Sequence, residues 1–262
     1  MNRMTAEAGM SDRSMRRIIH DDIGMSPYRL RRRHFISDLQ KSKRLARCRI
    51  LLRDLQHGTD VGEVVFSDEK LFSIEASFNS QNHRVIASSS HQLPSNLRVV
   101  ARMQKPAGVM VWAAVSSSWK SPLIFVPQGV KIDAKTYIES ILVPMTSAAK
   151  EHFGDRPWTF QQDGASSHTA KTTQLWCKQH LPRFWSKEIL PPSSPDLNVL
   201  DFCLWSVLES EACAKQHSSV EMLRASLTRA WDNISQEVVR AACEAFPKRL
   251  RAAVKAKGDH FE

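Results

Sequence analysis

The spacing of apolar side chains divides the chain into stretches of different texture. Over the first 35 residues, short apolar repeats of helical period alternate with turn signals. A brief helical run over 2–8 breaks at Gly9. Ser11 then caps a second helix reaching about Asp22, with Met15, Ile18 and Ile19 on its apolar face. Gly24 ends that helix, and Ser26-Pro27 opens a third, basic run over 28–34. Residues 36–56 read as an amphipathic helix with Leu39, Leu45, Ile50 and Leu51 among many lysines and arginines. From about residue 60 the period shortens. Residues 61–66, 71–74 and 122–126 predict short strands, and the unbroken apolar run over 108–115 suits a buried central strand. Helices are predicted over 131–153 and 169–180, strands over 158–162 and 184–189, and a rigid proline loop over 191–195. From Leu197 the pattern is helical, with Ser218 and Glu221 at capping-box spacing. Strands first, then strand–helix alternation, then helices predict an α/β domain with a mixed sheet.

Composition narrows the class. The chain has 262 residues, 42% hydrophobic and 24% charged, as in a folded globular protein. Its apolar runs fall short of the ~18 residues a membrane span needs, and the opening residues lack the apolar core of a secretory signal. Five scattered cysteines without a C-x-x-C pair read as reduced intracellular thiols, neither a disulfide framework nor a zinc site. Charge is more telling: of the formal +10, the first 55 residues carry +8. A small basic unit attached to a nearly neutral larger one suggests a polyanion-binding module, although a solvated basic face has the same composition.

The spacing of Met4, Gly9, Met15 and Ile18 is that of a helix-turn-helix, with glycine taking the left-handed turn. Its second helix would turn Asp12, Arg13, Arg16 and Arg17 outward, toward phosphates and base edges of a major groove. A surface helical hairpin without nucleic acid is the alternative. The run holding Arg29, Arg31, Arg32 and Arg33 suits a phosphate backbone, a nuclear import signal, or both.

Three aspartates stand where a carboxylate needs explaining. Asp68 follows an apolar strand and alternation places it on the face of Val64 and Phe66. Asp163 closes a strand and precedes Gly164, so a tight turn exposes it at the carboxyl end. Asp201 lies three, four and seven residues before Leu204, Trp205 and Leu208, on what reads as an inward helical stripe. A charge there is costly unless compensated. A divalent cation would compensate it, and hard oxygen ligands without a His/Cys set fit magnesium or manganese better than zinc. Taken singly, Asp68 also suits a strand-end turn, Asp163 an ordinary D-G turn, and Asp201 a helix N-terminal charge. Glu69 points away from Asp68 and is not expected to be a ligand, while His168 is expected at the site edge as a hydrogen-bonding residue.

The segments F-S-D-E-K (66–70), Q-Q-D-G-A-S-S-H (161–168) and P-P-S-S-P-D-L-N-V-L-D-F-C-L-W (191–205) resemble those of mariner-superfamily transposases, and the run at 108–115 is similar to that family's central strand. The resemblance implies a ribonuclease H-like catalytic domain over 60–215. It would be preceded by a helix-turn-helix DNA-binding unit over 1–35 and a basic linker helix over 36–59, and followed by a C-terminal helical segment over 216–262. It implies that Asp68, Asp163 and Asp201, not Asp196, are the catalytic residues and bind two Mg2+ or Mn2+ ions. One ion would lower the pKa of an attacking water and the other stabilise the leaving 3′ oxygen, with the ions about 3.5–4 Å apart. The freed 3′-OH would then join target DNA at a TA dinucleotide, completing cut-and-paste transposition. The 37 residues between Asp163 and Asp201, and aspartate as the third acid, resemble the mariner-like branch with an all-aspartate triad. Family members carry two helix-turn-helix subdomains, and this chain begins at the second, so the first is expected to be missing. Double-stranded DNA, both terminal inverted repeats and target, is the expected partner, with a homodimer for the full-length form and a nuclear location. The rival expectations are a non-catalytic DNA-binding protein derived from a transposase and a plain metal-dependent nuclease.

Overall fold

A computed structural model describes residues 8–25, 35–77, 94, 103–126, 129 and 132–261. The chain forms two compact units, Met1–Phe35 and Ile36–Glu262.

In the first unit, helix α1 (Asp12–Arg17) runs on through a wider turn at Ile18–Asp22. Ser11 caps it, its Oγ accepting from the Ser14 N–H at 3.1 Å. Gly9 and Gly24 bracket it with φ of +60° and +66°, a region where a side chain is strained. Met15 is buried, Ile18 and Ile19 are half-buried, and Arg13, Arg16 and Arg17 are exposed. The basic run with Arg29, Arg31, Arg32 and Arg33, and all but the end of the expected first helix, lie outside the described residues.

The second unit opens with α2 (Asp38–His57), which starts at a capping box made by Ser37 and Gln40. Its buried residues are Arg44, Cys48 and Leu51. Leu39 and Ile50, expected on the apolar face, are 66% and 40% exposed. At about 100° per residue they fall on the far side of the stripe through 44, 48 and 51. The segment read as a linker helix is thus packed within the second unit, with Cys48 and Leu51 in its larger apolar cluster.

Strand β1 (Val64–Ser73) is continuous where two strands were expected. Its polar middle has no glycine or proline to turn the chain, and the backbone pairs without a break from Phe66↔Val115 to Ser73↔Gly108 on β2 (Gly108–Ser116). After β3 (Trp119–Lys120) and β4 (Ile124–Val126), one helical stretch is built from α3 (Ala134–Tyr137), a wider turn at Ile138–Leu142, and α4 (Val143–Phe153). Strand β5 (Thr159–Gln161), short helices α5 (Ser166–Thr169) and α6 (Lys171–His180), and β6 (Arg183–Phe184) follow. The strand expected over 184–189 ends early, because the N–H groups of Ile189 and Leu190 turn back to the Ser186 carbonyl. A turn at Leu200–Leu204 leads into α7 (Trp205–Ala212), then come α8 (Val220–Asn233) and α9 (Gln236–Lys255). Helix α8 is capped by Ser219, one residue after the serine the capping-box spacing picked out.

The strands form one mixed sheet in the order β3-β2-β1-β5-β6, with β4 also paired to β2. β2 lies antiparallel to β1, whereas β1, β5 and β6 run parallel. Both faces are covered. Val64, Phe66, Val111 and Val115 face a cluster with Cys48, Leu51, Trp205, Leu227 and Phe246. Val65, Trp112 and Phe160 face Tyr137, Leu142, Met145 and Cys177. Helices on two sides explain why β2 is apolar throughout rather than alternating. At the end of α9 the chain turns at Gly258 and lies against α2, where the Lys41 ammonium meets Asp259 at 2.6 Å.

Candidate active site

Asp68 belongs to β1, and its face is the one covered by the C-terminal helices. There its Oδ2 accepts from the Trp205 indole N–H at 2.6 Å, and the residue is only 8% exposed. β5 runs parallel to β1 with Val64 beside Thr159 and Phe66 beside Gln161. Carried two positions further, this register sets Asp163 beside Asp68. The Ser67 hydroxyl donates to the Gln161 carbonyl at 2.9 Å and ties the end of β5 to the middle of β1. Asp163 is exposed, and its Oδ1 accepts from the Ala165 N–H at 3.0 Å and from His168 Nδ1 at 2.5 Å.

Asp201 is brought near Asp68 by the helical turn that leads into α7. Asn198, buried, donates from Nδ2 to the Ser67 carbonyl at 2.9 Å and accepts at Oδ1 from the Leu200 N–H at 3.1 Å. One amide therefore joins the strand before Asp68 to the helical turn carrying Asp201. Leu204, Trp205 and Leu208 are buried as expected, but Asp201 itself is exposed at the rim rather than inside the stripe. Asp163 and Asp201 line a cleft of about 790 Å³ beside the 191–195 loop, with Arg47 and Lys187 also in its wall.

Electrostatics record the crowding. Burial, then the nearby Asp201 carboxylate, push Asp68 up to about 8, against the downward pull of the Trp205 hydrogen bond. Although its side chain reaches solvent at the rim, partial loss of water in the cleft raises Asp201, with the Asp163 charge adding to this and a hydrogen bond with Asp68 opposing it. Asp163 goes the other way: the upward push of burial is outweighed by the hydrogen bond and charge of His168 and by the Ala165 N–H. Burial alone would lower His168, but its bonds to Asp163 and Glu69 lift it to about 9, so at neutral pH the ring donates from both nitrogens. Carboxylates forced together in this way repel one another. A hard divalent cation relieves that repulsion, so the oxygen donors of Asp68, Asp163 and Asp201 fit Mg2+ or Mn2+.

Two features escaped the sequence reading. Glu69 lies on the opposite strand face from Asp68, as alternation requires, yet its Oε1 sits 3.1 Å from His168 Nε2. Glu69, Asp163 and His168 place ligand-type atoms within 4.8 Å of one another. Each imidazole nitrogen is at hydrogen-bond distance from a carboxylate, which makes this a hydrogen-bonded brace beside the three aspartates. The second feature is Asp196. It is held by both terminal nitrogens of Arg44, a residue with no exposed surface, with Nη1 at 2.7 Å from Oδ1. That pairing occupies Asp196 and separates its role from that of Asp201.

No protein-family model matches the chain. It is 30% identical over 152 residues to the transposable element Tcb1 transposase of Caenorhabditis briggsae, covering 57% of this chain and 52% of the relative. Against the transposable element Tc3 transposase of Caenorhabditis elegans it is 27% identical over 207 residues, covering 77% and 58%. Both relatives are transposases of transposable elements, and the chain is similar to each in sequence. It spans little more than half the length of either relative. Among solved structures it is similar to the Mos1 transposase paired-end complex with left transposon end, with a TM-score of 0.82 at 18% identity, over 99% of this chain and 74% of that one. It is similar also to the catalytic domain of Mos1 mariner transposase, with a TM-score of 0.68 at 17% identity, over 88% and 100%. These identities speak to the fold, which is the expected ribonuclease H-like α/β domain preceded by N-terminal helices.

Proposed function

We propose that the protein is a DNA transposase of the mariner-like branch with an all-aspartate triad. It cleaves DNA at transposon ends and joins the freed 3′ ends to target DNA, by cut-and-paste. The observation that carries this reading is that Asp163 and Asp201 line one cleft while Asp68, within β1 beside it, lies near enough to feel both charges, although the three are far apart in the chain. The homology to transposable-element transposases and the 37 residues between Asp163 and Asp201 support it. Asp68, Asp163 and Asp201 would hold two Mg2+ or Mn2+ ions, which when bound supply activation of the attacking nucleophile and charge stabilisation at the leaving oxygen.

The chain's own residues do the rest. Trp205 fixes Asp68, Asn198 ties β1 at Ser67 to the helical turn of Asp201, and the Arg44–Asp196 pair holds the loop that precedes Asn198. Arg47 and Lys187 in the cleft wall supply positive charge for a phosphate backbone. In the N-terminal unit, the exposed Arg13, Arg16 and Arg17 of α1 bind double-stranded DNA, aided by Arg29, Arg31, Arg32 and Arg33. The reading carries with it terminal inverted repeats and target DNA as partners, a homodimer as the working form, and a nuclear location.

The test is a cleavage and strand-transfer assay with Mg2+ or Mn2+ on a duplex bearing the element end and on a pre-cleaved end. Asp68→Asn, Asp163→Asn and Asp201→Asn are each expected to abolish both steps while DNA binding persists. A variant that cleaves at the parent rate removes that residue from the site. Binding without cleavage in the parent protein would establish the non-catalytic DNA-binding reading instead, and cleavage without joining a plain nuclease.

A further inference from the structure

Among the described residues, one oxygen of Asp163 takes all of its hydrogen bonds. Oδ1 accepts from the Ala165 N–H and from His168 Nδ1, whereas Oδ2 accepts from none. The imidazole that fixes Oδ1 is itself held on several sides. Nε2 contacts Glu69 Oε1 at 3.1 Å, and the Tyr137 ring packs against it with centroids 4.1 Å apart. The His168 carbonyl accepts from the side-chain amides of Gln162 at 3.4 Å and Gln174 at 2.9 Å. The Tyr137 hydroxyl donates to Gln162 Oε1 at 2.9 Å and closes the circuit. His168 is 3% exposed. A histidine serving only to fill space would not need a carboxylate on each nitrogen, since buried polar groups carry a desolvation cost.

We propose that His168 is a positioning residue for metal binding at Asp163: by occupying Oδ1 it presents Oδ2 as the ligand oxygen, and Glu69 and Tyr137 set the plane of its ring. The inference rests on the reading of Asp163 as a metal ligand. Partners that orient a ligating side chain are typically worth about 10–100-fold in metal affinity.

Two amide variants separate positioning from packing. Asparagine places its N–H2 near the position of Nδ1, so His168→Asn keeps a donor for Asp163 and loses Glu69. Glutamine extends toward the position of Nε2, so His168→Gln keeps Glu69 and leaves Oδ1 with Ala165 alone. Mn2+ binding to the full chain is read by electron paramagnetic resonance, with thermal unfolding alongside. Asp163→Asn is expected to lose Mn2+ binding, and His168→Gln to weaken it about 10–100-fold, with His168→Asn weakened only several-fold, as loss of the Glu69 contact alone requires. Equal loss or equal retention by the two amide variants, at matched thermal stability, overturns the positioning role while leaving Asp163 as a ligand. Unchanged Mn2+ binding in Asp163→Asn overturns both readings. Should both histidine variants unfold, Glu69→Ala tests the same brace from a half-buried position. A several-fold fall in Mn2+ affinity is expected, and an unchanged affinity overturns the brace.

Discussion

Replacing Asp196 by asparagine removes one charge and almost no volume, and the structure sets the size of the effect. The Arg44 guanidinium has no exposed surface and finds its counter-charge in Asp196, which is 12% exposed. Its Nη1 also donates to Ser194 Oγ at 2.8 Å, while its Nε has no partner among the described residues. In Asp196→Asn the cation stays buried with only neutral acceptors, a situation that costs about 3–5 kcal/mol. That is a large share of the roughly 5–15 kcal/mol that holds a domain folded. At about 2–4 °C per kcal/mol for a unit of this size, the unfolding temperature should fall by about 6–20 °C. Asp201→Asn, five positions along, removes an exposed charge from a cluster of like charges and should cost the fold little. Thermal and urea unfolding of the two variants decide the matter, with Arg44→Met/Asp196→Asn as the control that removes the orphaned cation and recovers part of the loss. An Asp196→Asn variant within about 1 kcal/mol of the parent, or an Asp201→Asn variant equally damaged, would refute the assignment of a structural role to the first and a site role to the second.

Asp68 is raised from 3.8 to about 8, so the folded protein keeps a proton that the unfolded chain has released. Its stabilising contribution is whole below about pH 4 and is lost as pH climbs through about 8. Urea midpoints of the metal-free protein should decline across that window more steeply than those of Asp68→Asn; parallel curves would contradict this. Changing Arg13, Arg16 and Arg17 to alanine should weaken DNA binding and flatten the plot of log affinity against log salt by about 0.9 per lost phosphate contact, so an unchanged slope would count against a DNA-facing α1. At Gly258, φ is +83° and an added Cβ would meet the Lys41 carbonyl oxygen at 2.1 Å, so Gly258→Ala should destabilise the second unit. The expected loss is about 1–3 kcal/mol in urea unfolding, and a neutral result would mean the C-terminal turn is not docked on α2.

What the sequence made legible were features written in local period. The apolar run of β2, the Ser11 cap and the place of Asp163 just past the end of a strand are each readable within a dozen residues, and the structure has them. Asp68, expected at a strand end, instead lies within β1, whose pairing with β2 runs on through Ser73. The exposed position of Asp201 was not readable, because a helical stripe names neighbours but not where the stripe stops being covered. The strand wrongly expected over 184–189 has the right composition, and only the turn back to the Ser186 carbonyl ends it. Long-range pairing was invisible. Nothing near Glu69 announces His168, 99 residues on, and nothing near Arg44 announces Asp196, 152 residues on. Both pairs are charged groups whose local surroundings suit a solvated surface, and each becomes intelligible only once the sheet brings its partner alongside. Helix α2 was misjudged for a related reason: its buried stripe contains an arginine, which hydrophobic period does not count.

Asn198 acts as a rivet between the middle of β1 at Ser67 and the helical turn that begins at Leu200. Because the fastening is a side chain, the gap between the first and third acids depends on this one amide and not only on the backbone that links them. An aspartate at 198, identical in outline but unable to donate when ionised, would let that gap drift.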